Sequence, residues 1–239
     1  MFHPYEPVRT KLVQNLISRH LDECVARMEK TDIHEFGSVV RNDVSVQFLL
    51  KDLGISPTVV FSALVEYARA HDEVELEIVC RLELEQFSKA FELVLRYYIY
   101  PDIMESHLDL VKEELWLFRD HVANVESWAR IGSVLEQYVS LINGTVQMTC
   151  EETLSLLCSI EKMREDGDLL QGNDMIRMTQ EMSYQVLRIT IELLRSSDKN
   201  EELLEQVGSK INTLGSCYMK KIQLQDILEE IIMVFLFVC

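Results

Sequence analysis

Residues 91–115 read FELVLRYYIYPDIMESHLDLVKEEL. Tyr97, Tyr98 and Tyr100 crowd beside Arg96, just ahead of Pro101. The cluster is either an aromatic platform or the end of a packed helix. Phe87, Phe91, Val94 and Tyr98 share one face at helical spacing, which favours the helix. Proline disfavours the helical region for the residue before it, so this helix is expected to stop near Tyr100. Asp102 is then expected to cap the next helix, with Glu105 three residues on. The stretch reads as a tight αα-hairpin between helices over 87–99 and 103–122. Stacking bases on Tyr97 or Tyr100 would need a cationic groove. At most these two rings remain for a protein partner.

Working outward, the same periodicity recurs. Leu108, Val111, Leu115, Phe118 and Val122 form one stripe; Trp128, Ile131, Leu135, Tyr138 and Ile142 form another. Met175, Met182, Val186, Ile189 and Leu193 form a third, and Ile176, Leu187, Ile191 and Leu194 load an adjoining face. An arc that broad implies cover on two sides. The Met-rich stretch 175–184 is therefore read as core rather than as an adaptable partner surface.

Boundary residues support the map. Ser56 precedes Pro57, a hydroxyl cap before a proline at the first helical position. Thr149 with Glu152 reads as a capping box. Asp72 with Glu75, and Asp198 with Glu201, repeat that spacing with Asp as the cap. Gly54, Gly144 and Gly167 stand where helices should stop. The expected helices cover 7–29, 43–53, 57–70, 73–84, 87–99, 103–122, 126–142, 150–166, 174–195 and 200–220, with an apolar terminal one over 223–239. In 74–85, Val74, Leu76, Ile78, Cys80, Leu82 and Leu84 alternate as in a strand. A lone strand has nothing to pair with, so the helix is preferred. Scarce glycine and the absence of proline after Pro101 suit long helices. The fold class expected is all-α: an irregular α-solenoid of antiparallel helix pairs, about 10–11 helices in one domain over 1–239. The longest gap, 30–42, is the expected sub-boundary. No fixed repeat period is found.

Composition narrows the function. The formal net charge is −17, from 23 basic and 40 acidic residues. Nucleic-acid backbones need clustered cations, as do anionic membrane surfaces, and this chain has no basic run. Cys24, Cys80, Cys150, Cys158, Cys217 and Cys239 are scattered without a C-x-x-C pair and read as reduced thiols of the cytosol or nucleus. The opening MFHPYEPVRT has no apolar signal region. The apolar end, 231–239, is too short for a bilayer, which takes about 20 residues in a helix. Asn143-Gly144-Thr145 matches a glycosylation sequon by chance.

There is no phosphate loop, dinucleotide turn or H-E-x-x-H helix. His3, His20, His34, His71, His107 and His121 are not grouped at ligand spacings. His20 reads as partly buried core beside Leu16 and Cys24. The pairs Glu113/Glu114, Glu151/Glu152, Glu201/Glu202 and Glu229/Glu230 read as solvated faces, because general acid–base work needs two different environments. No catalytic, cofactor-binding or metal residue is assigned, no cofactor is expected, and the sequence assigns no interface residue. An all-α enzyme would need a polar cleft gathering His20, His71 or His121 with carboxylates.

Residues 46–142 resemble a known family. The segments FLLKDLGISPTVVFSALVEYARAHDEVELEIVCRLELEQFSKAFELVLRYYIYPDIM and VESWARIGSVLEQYVSLI are similar to the C-terminal helical part of the ninety-six-kilodalton nucleoporin family, scaffold components of the Y-shaped subcomplex of the nuclear pore. LLQGNDMIRMTQEMSYQVLRITIELL (169–194) is similar to that family's following helix, and TKLVQNLISRH (10–20) to an upstream one. The likeness is diffuse but collinear over most of residues 10–220. It implies a coat-nucleoporin-like scaffold at the nuclear envelope that supports mRNA export and protein transport. Its partners would be other scaffold nucleoporins at the hub of the Y-complex, with no direct nucleic acid. The chain shows no counterpart of the family's segment that completes a β-propeller, nor of its autoproteolytic junction. A fragment or short product is therefore expected, without the propeller partner. The end after Gln223 also departs from the family's tail. Periodicity alone fits another helical adaptor equally well, such as a vesicle-coat or regulatory-particle subunit.

Overall fold

The computed structural model describes residues 6–18, 25, 33–164, 169–170, 173–196 and 206–209. Among these the regular elements are helices, with no strand. The all-α expectation holds. The chain divides into two compact units, Met1–Tyr97 with Asp120–Val125, and Tyr98–Arg119 with Glu126–Cys239.

The first unit holds α1 (Glu6–Ser18), α2 (Ile33–Asn42), α3 (Val44–Gln47), α4 (Pro57–His71), α5 (Val74–Glu83) and α6 (Phe87–Val94). Residues 33–42, read from sequence as part of the longest gap, thus form a helix. The amphipathic spacing of Phe36 and Val40, both buried, explains it. Asp43 caps α3, its carboxylate accepting from Ser45 N (2.8 Å) and Val46 N (3.2 Å). The π-helical turn Phe48–Asp52 follows directly.

The alternating segment 74–85 is helical, and α2, α4 and α6 all pack on α5. Leu76, Ile78, Val79 and Cys80 are all buried. A helix covered on three sides needs apolar residues around most of its circumference, and strict alternation supplies them. Lys11 ties α1 to α4 through Glu66 (2.7 Å), and Arg41 reaches Glu83 (3.0 Å).

The opening stretch departs from expectation. After α6 the backbone widens into a π-helical turn, Leu95–Ile99, and re-enters α-helix as α7 (Tyr100–Glu105). Pro101 sits in the first turn of α7, directly after the widened turn. The helix therefore does not stop at Tyr100, and Asp102 lies inside α7 instead of capping a later helix. The reversal comes at Ser106, in the left-handed region at φ 65°. His107 N–H bonds back to Asp102 O at 2.7 Å, closing a Schellman turn.

The same closure recurs without glycine. Asp72 (φ 56°) ends α4, with Glu73 N–H on Ala68 O (2.9 Å); Glu85 (φ 57°) follows α5, with Gln86 N–H on Arg81 O (2.8 Å). Asp72, expected as an N-cap, is thus a C-terminal residue of the preceding helix. Ser56 does precede α4 but makes no side-chain cap bond. Gly54 and Gly144 do occupy left-handed positions at helix ends, at φ 59° and 65°.

The second unit contains α7, α8 (Leu108–Trp116), α9 (Ser133–Ile142), α10 (Cys150–Met163) and α11 (Asp174–Ser196). The helix expected over 103–122 is broken: α8 ends at Trp116, and Arg119–Asn124 is a 3-10 turn. Tightening to three residues per turn rotates Val122 off the stripe, and it is 37% exposed. Another π-helical turn, Trp128–Gly132, leads into α9. Trp128, Ile131, Leu135 and Tyr138 are buried, and Ile142 partly so.

The Thr149–Glu152 capping box is present in both directions, at 2.7 Å from Thr149 N and 3.3 Å to Thr149 Oγ1. Hydrogen bonding by Thr149, its backbone N–H first, holds the Glu152 carboxyl below its ordinary value. α10 and α11 pack extensively and are stitched by Thr190 and Thr153 hydroxyls 3.0 Å apart, both fully buried. Met175, Met178 and Met182 are buried, so the Met-rich stretch is core as expected. The expected caps Asp198 and Glu201, the stop at Gly167 and the apolar end 223–239 lie outside the described residues. Of the helix expected over 200–220, only the helical residues 206–209 are described.

Candidate functional site

Among the described residues His71 ends α4, His107 precedes α8 and His121 lies in the 3-10 turn. The His71 ring stacks on Tyr67 with centroids 4.1 Å apart, and its Nδ1 lies 2.9 Å from Tyr67 O. His121 stacks on Phe87, also at 4.1 Å. His107 Nδ1 lies 3.4 Å from Asp102 Oδ1 and 3.5 Å from Glu105 Oε2. His3, His20 and the His34 side chain lie outside the described residues. Among the described residues no group of three or more His, Cys, Asp or Glu is placed to hold a metal ion.

Burial pushes the Cys80 thiol far up, with Glu83 and Glu77 adding to it. Burial, then Glu151, raises Cys150. Raised thiols stay protonated and are poor nucleophiles. Cys24, Cys217 and Cys239 lie outside the described residues. The Tyr138 hydroxyl is likewise raised by burial and by the Glu181 charge. The Glu113/Glu114 pair does differ in environment, against the solvated-face reading. Glu113 is exposed and Glu114 is buried, because the apolar stripe of α8 carries Glu114 inward beside Leu115.

The tyrosines of the opening stretch part company. Tyr97 is 47% exposed. Tyr100 is not free for a partner: its hydroxyl donates to Asp174 Oδ1 at 3.1 Å, joining α7 to α11.

Two concavities stand out on the described surface. In the first unit, a cleft of about 290 Å³ is lined by Arg69, Arg81, Arg96, Asp72, Glu73 and Glu77, among others. The Glu77 carboxylate takes bonds from Arg81, one of them 2.8 Å from Nε, and lies 3.9 Å from Arg69 Nε; Arg81 Nη1 donates to Gln86 at 2.8 Å. Three arginines and three carboxylates line the cleft, and within it Glu77 is paired by Arg81 with Arg69 close by.

In the second unit, a groove of about 340 Å³ runs between α8 and α9. Asn143 Nδ2 donates to Asp109 Oδ1 at 3.3 Å, so the end of α9 meets the start of α8 and the two helices are antiparallel. Buried Leu115 and Val139 form the floor. Lys112, Trp116 and Arg119 line one wall; Glu136 and Ser140 line the other. Trp116 is 57% exposed, with the Arg119 guanidinium 4.0 Å from its ring centroid, a cation–π stack. Partial desolvation raises the Glu136 carboxyl above its ordinary value.

The sequence reading assigned no interface residue and passed over Trp116. Its signal was available: once Leu108, Val111 and Leu115 fix the buried stripe, Trp116 falls about 100° away, in line with Lys112. The apposition of Glu136 was not available, since it depends on how α9 packs against α8.

Compared with known proteins, the chain matches no family model, and no curated protein matches it.

Proposed function

We propose that the chain is a structural scaffold that acts by binding other proteins. The observation that carries this reading is the open groove of α8 and α9, where a large aromatic side chain, Trp116, stands in solvent. Exposed tryptophan and arginine are the side chains that most often anchor protein interfaces. We assign the assembly from resemblance. The collinear likeness of residues 10–220 to the ninety-six-kilodalton nucleoporin family places the chain, in this proposal, among the coat-like α-solenoids of the nuclear pore. It would bind other scaffold nucleoporins of the Y-complex at the nuclear envelope and support mRNA export and protein transport. In this reading it is not an enzyme and takes no cofactor. Among the described residues no helix is long and apolar enough to cross a membrane.

Affinity capture of the tagged chain followed by mass spectrometry tests the assignment. Y-complex nucleoporins are expected. Recovery of vesicle-coat or regulatory-particle subunits instead would move the chain to another class of helical adaptor.

A further inference from the structure

The groove between α8 and α9 has an apolar floor and walls of opposite charge. Lys112 stands on α8 and Arg119 at the start of the 3-10 turn that follows it, both on the same wall. Glu136 stands on the α9 side. Among the described residues neither Lys112 nor Glu136 has an ion-pair partner, and Arg119 is engaged by the Trp116 ring. The two signs therefore do not neutralise each other across the groove, unlike the charges of the arginine cleft in the first unit. Trp116 stands half in solvent on the cationic wall.

We propose that this groove receives an amphipathic helix of a partner protein, with aliphatic anchors against Leu115, Val139 and Trp116, carboxylates along the flank facing Lys112 and Arg119, and a basic side chain facing Glu136. Three observations select that occupant. A furrow between two antiparallel helices accepts the ridge of a third. The floor is apolar, formed by Leu115 of α8 and Val139 of α9, and offers a seat for aliphatic anchors of a helix. The two-sided charge selects a partner whose flanks differ, since a helix of one charge sign would meet repulsion on one wall. Glu136 sits partly desolvated without a cation, and a partner lysine or arginine there would bring its carboxyl back down. This inference rests on the scaffold reading and names the partner chemistry that reading leaves open.

The test uses the full chain and a synthetic amphipathic helix with leucines at i, i+4 and i+7, glutamates along one flank and lysines along the other. Two control peptides carry lysine, or glutamate, on both flanks. The chain has two tryptophans. Trp128 is buried, so a change in emission on titration reports Trp116, and Trp116→Phe identifies the source. Saturable binding of the mixed-flank peptide is expected, at least about tenfold tighter than either control. Lys112→Glu with Arg119→Glu should weaken it by a similar factor while strengthening the all-lysine peptide. Both residues are exposed, and an unchanged circular dichroism spectrum would show that the variant is folded.

Absence of a saturable signal, or equal affinity for all three peptides, would overturn the proposal. So would a concentration-dependent Trp116 shift without peptide together with a dimer in sedimentation, since a second copy would then fill the groove. The assay uses the purified chain alone. A groove that fails to bind leaves the affinity-capture result standing, and a failed capture leaves the groove measurement readable.

Discussion

Replacing Gly132 by alanine tests the packing of the second unit at one point. Gly132 ends the π-helical turn that begins at Trp128. A Cβ there would lie 2.5 Å from Trp128 Cδ2 and Cε3 and 2.9 Å from Cε2. Carbon atoms are comfortable at roughly 3.5–4.0 Å, so the indole would have to retreat by about 1 Å. It has little room, being 7% exposed, with Phe118 tilted against it at a centroid distance of 6.2 Å. Overpacking of this kind costs about 1–3 kcal/mol. Alanine's better helix propensity offsets up to about 1 kcal/mol. The clash wins, and Gly132→Ala should destabilise by about 1–2 kcal/mol.

The companion variant Trp128→Ala should cost about 3–5 kcal/mol, as for a buried aromatic. In its background the clash is gone and only propensity remains, so adding Gly132→Ala should stabilise by about 0.5–1 kcal/mol. Urea denaturation followed by circular dichroism reads all four proteins as a double-mutant cycle. A raised midpoint for Gly132→Ala in the parent chain would refute the reasoning, as would the same sign of effect in both backgrounds.

Other expectations follow from particular residues. Pro101→Ala should change stability by less than about 1 kcal/mol, because the proline already occupies a first-turn position; a gain near 3 kcal/mol in the same denaturation assay would mean that it strains a helix interior. Thr149→Ala removes the acceptor for Glu152 N–H and should cost about 1 kcal/mol of stability; an unchanged midpoint would contradict the capping box. Glu136 holds its proton more tightly in the folded chain than in the unfolded one, so its contribution is intact below the unfolded carboxyl value, about 4.3, and falls as pH rises through the folded value. Relative to the parent, Glu136→Gln should therefore gain stability as pH rises from that value towards neutrality, and a pH-independent difference would remove the role of desolvation.

How much of this was legible can be judged element by element. The buried faces of α8, α9 and α11 were, because a 3.6-residue period in apolar side chains is written directly in the chain. So was the α10 capping box, which depends only on residues three apart. The helix ends at Asp72, Glu85 and Ser106 were not. Each uses a left-handed residue other than glycine, held by a bond back to a carbonyl five residues earlier, so no glycine marks it. The π-helical turn ahead of Pro101 was also invisible: local rules stop a helix before proline, and only the widened turn lets the chain continue.

By itself, the sequence determined the helical class, the stripes that become core and the acidic surface, because these follow from local spacing and composition. Tertiary structure decided the rest. Packing of α2, α4 and α6 around α5 buried most of the circumference of a helix whose alternating pattern did not say which face was core, and α9 lying antiparallel to α8 set Glu136 across from Lys112 and Arg119 beside an exposed tryptophan. Those appositions join residues distant in sequence, and no local pattern encodes a distance that only packing creates.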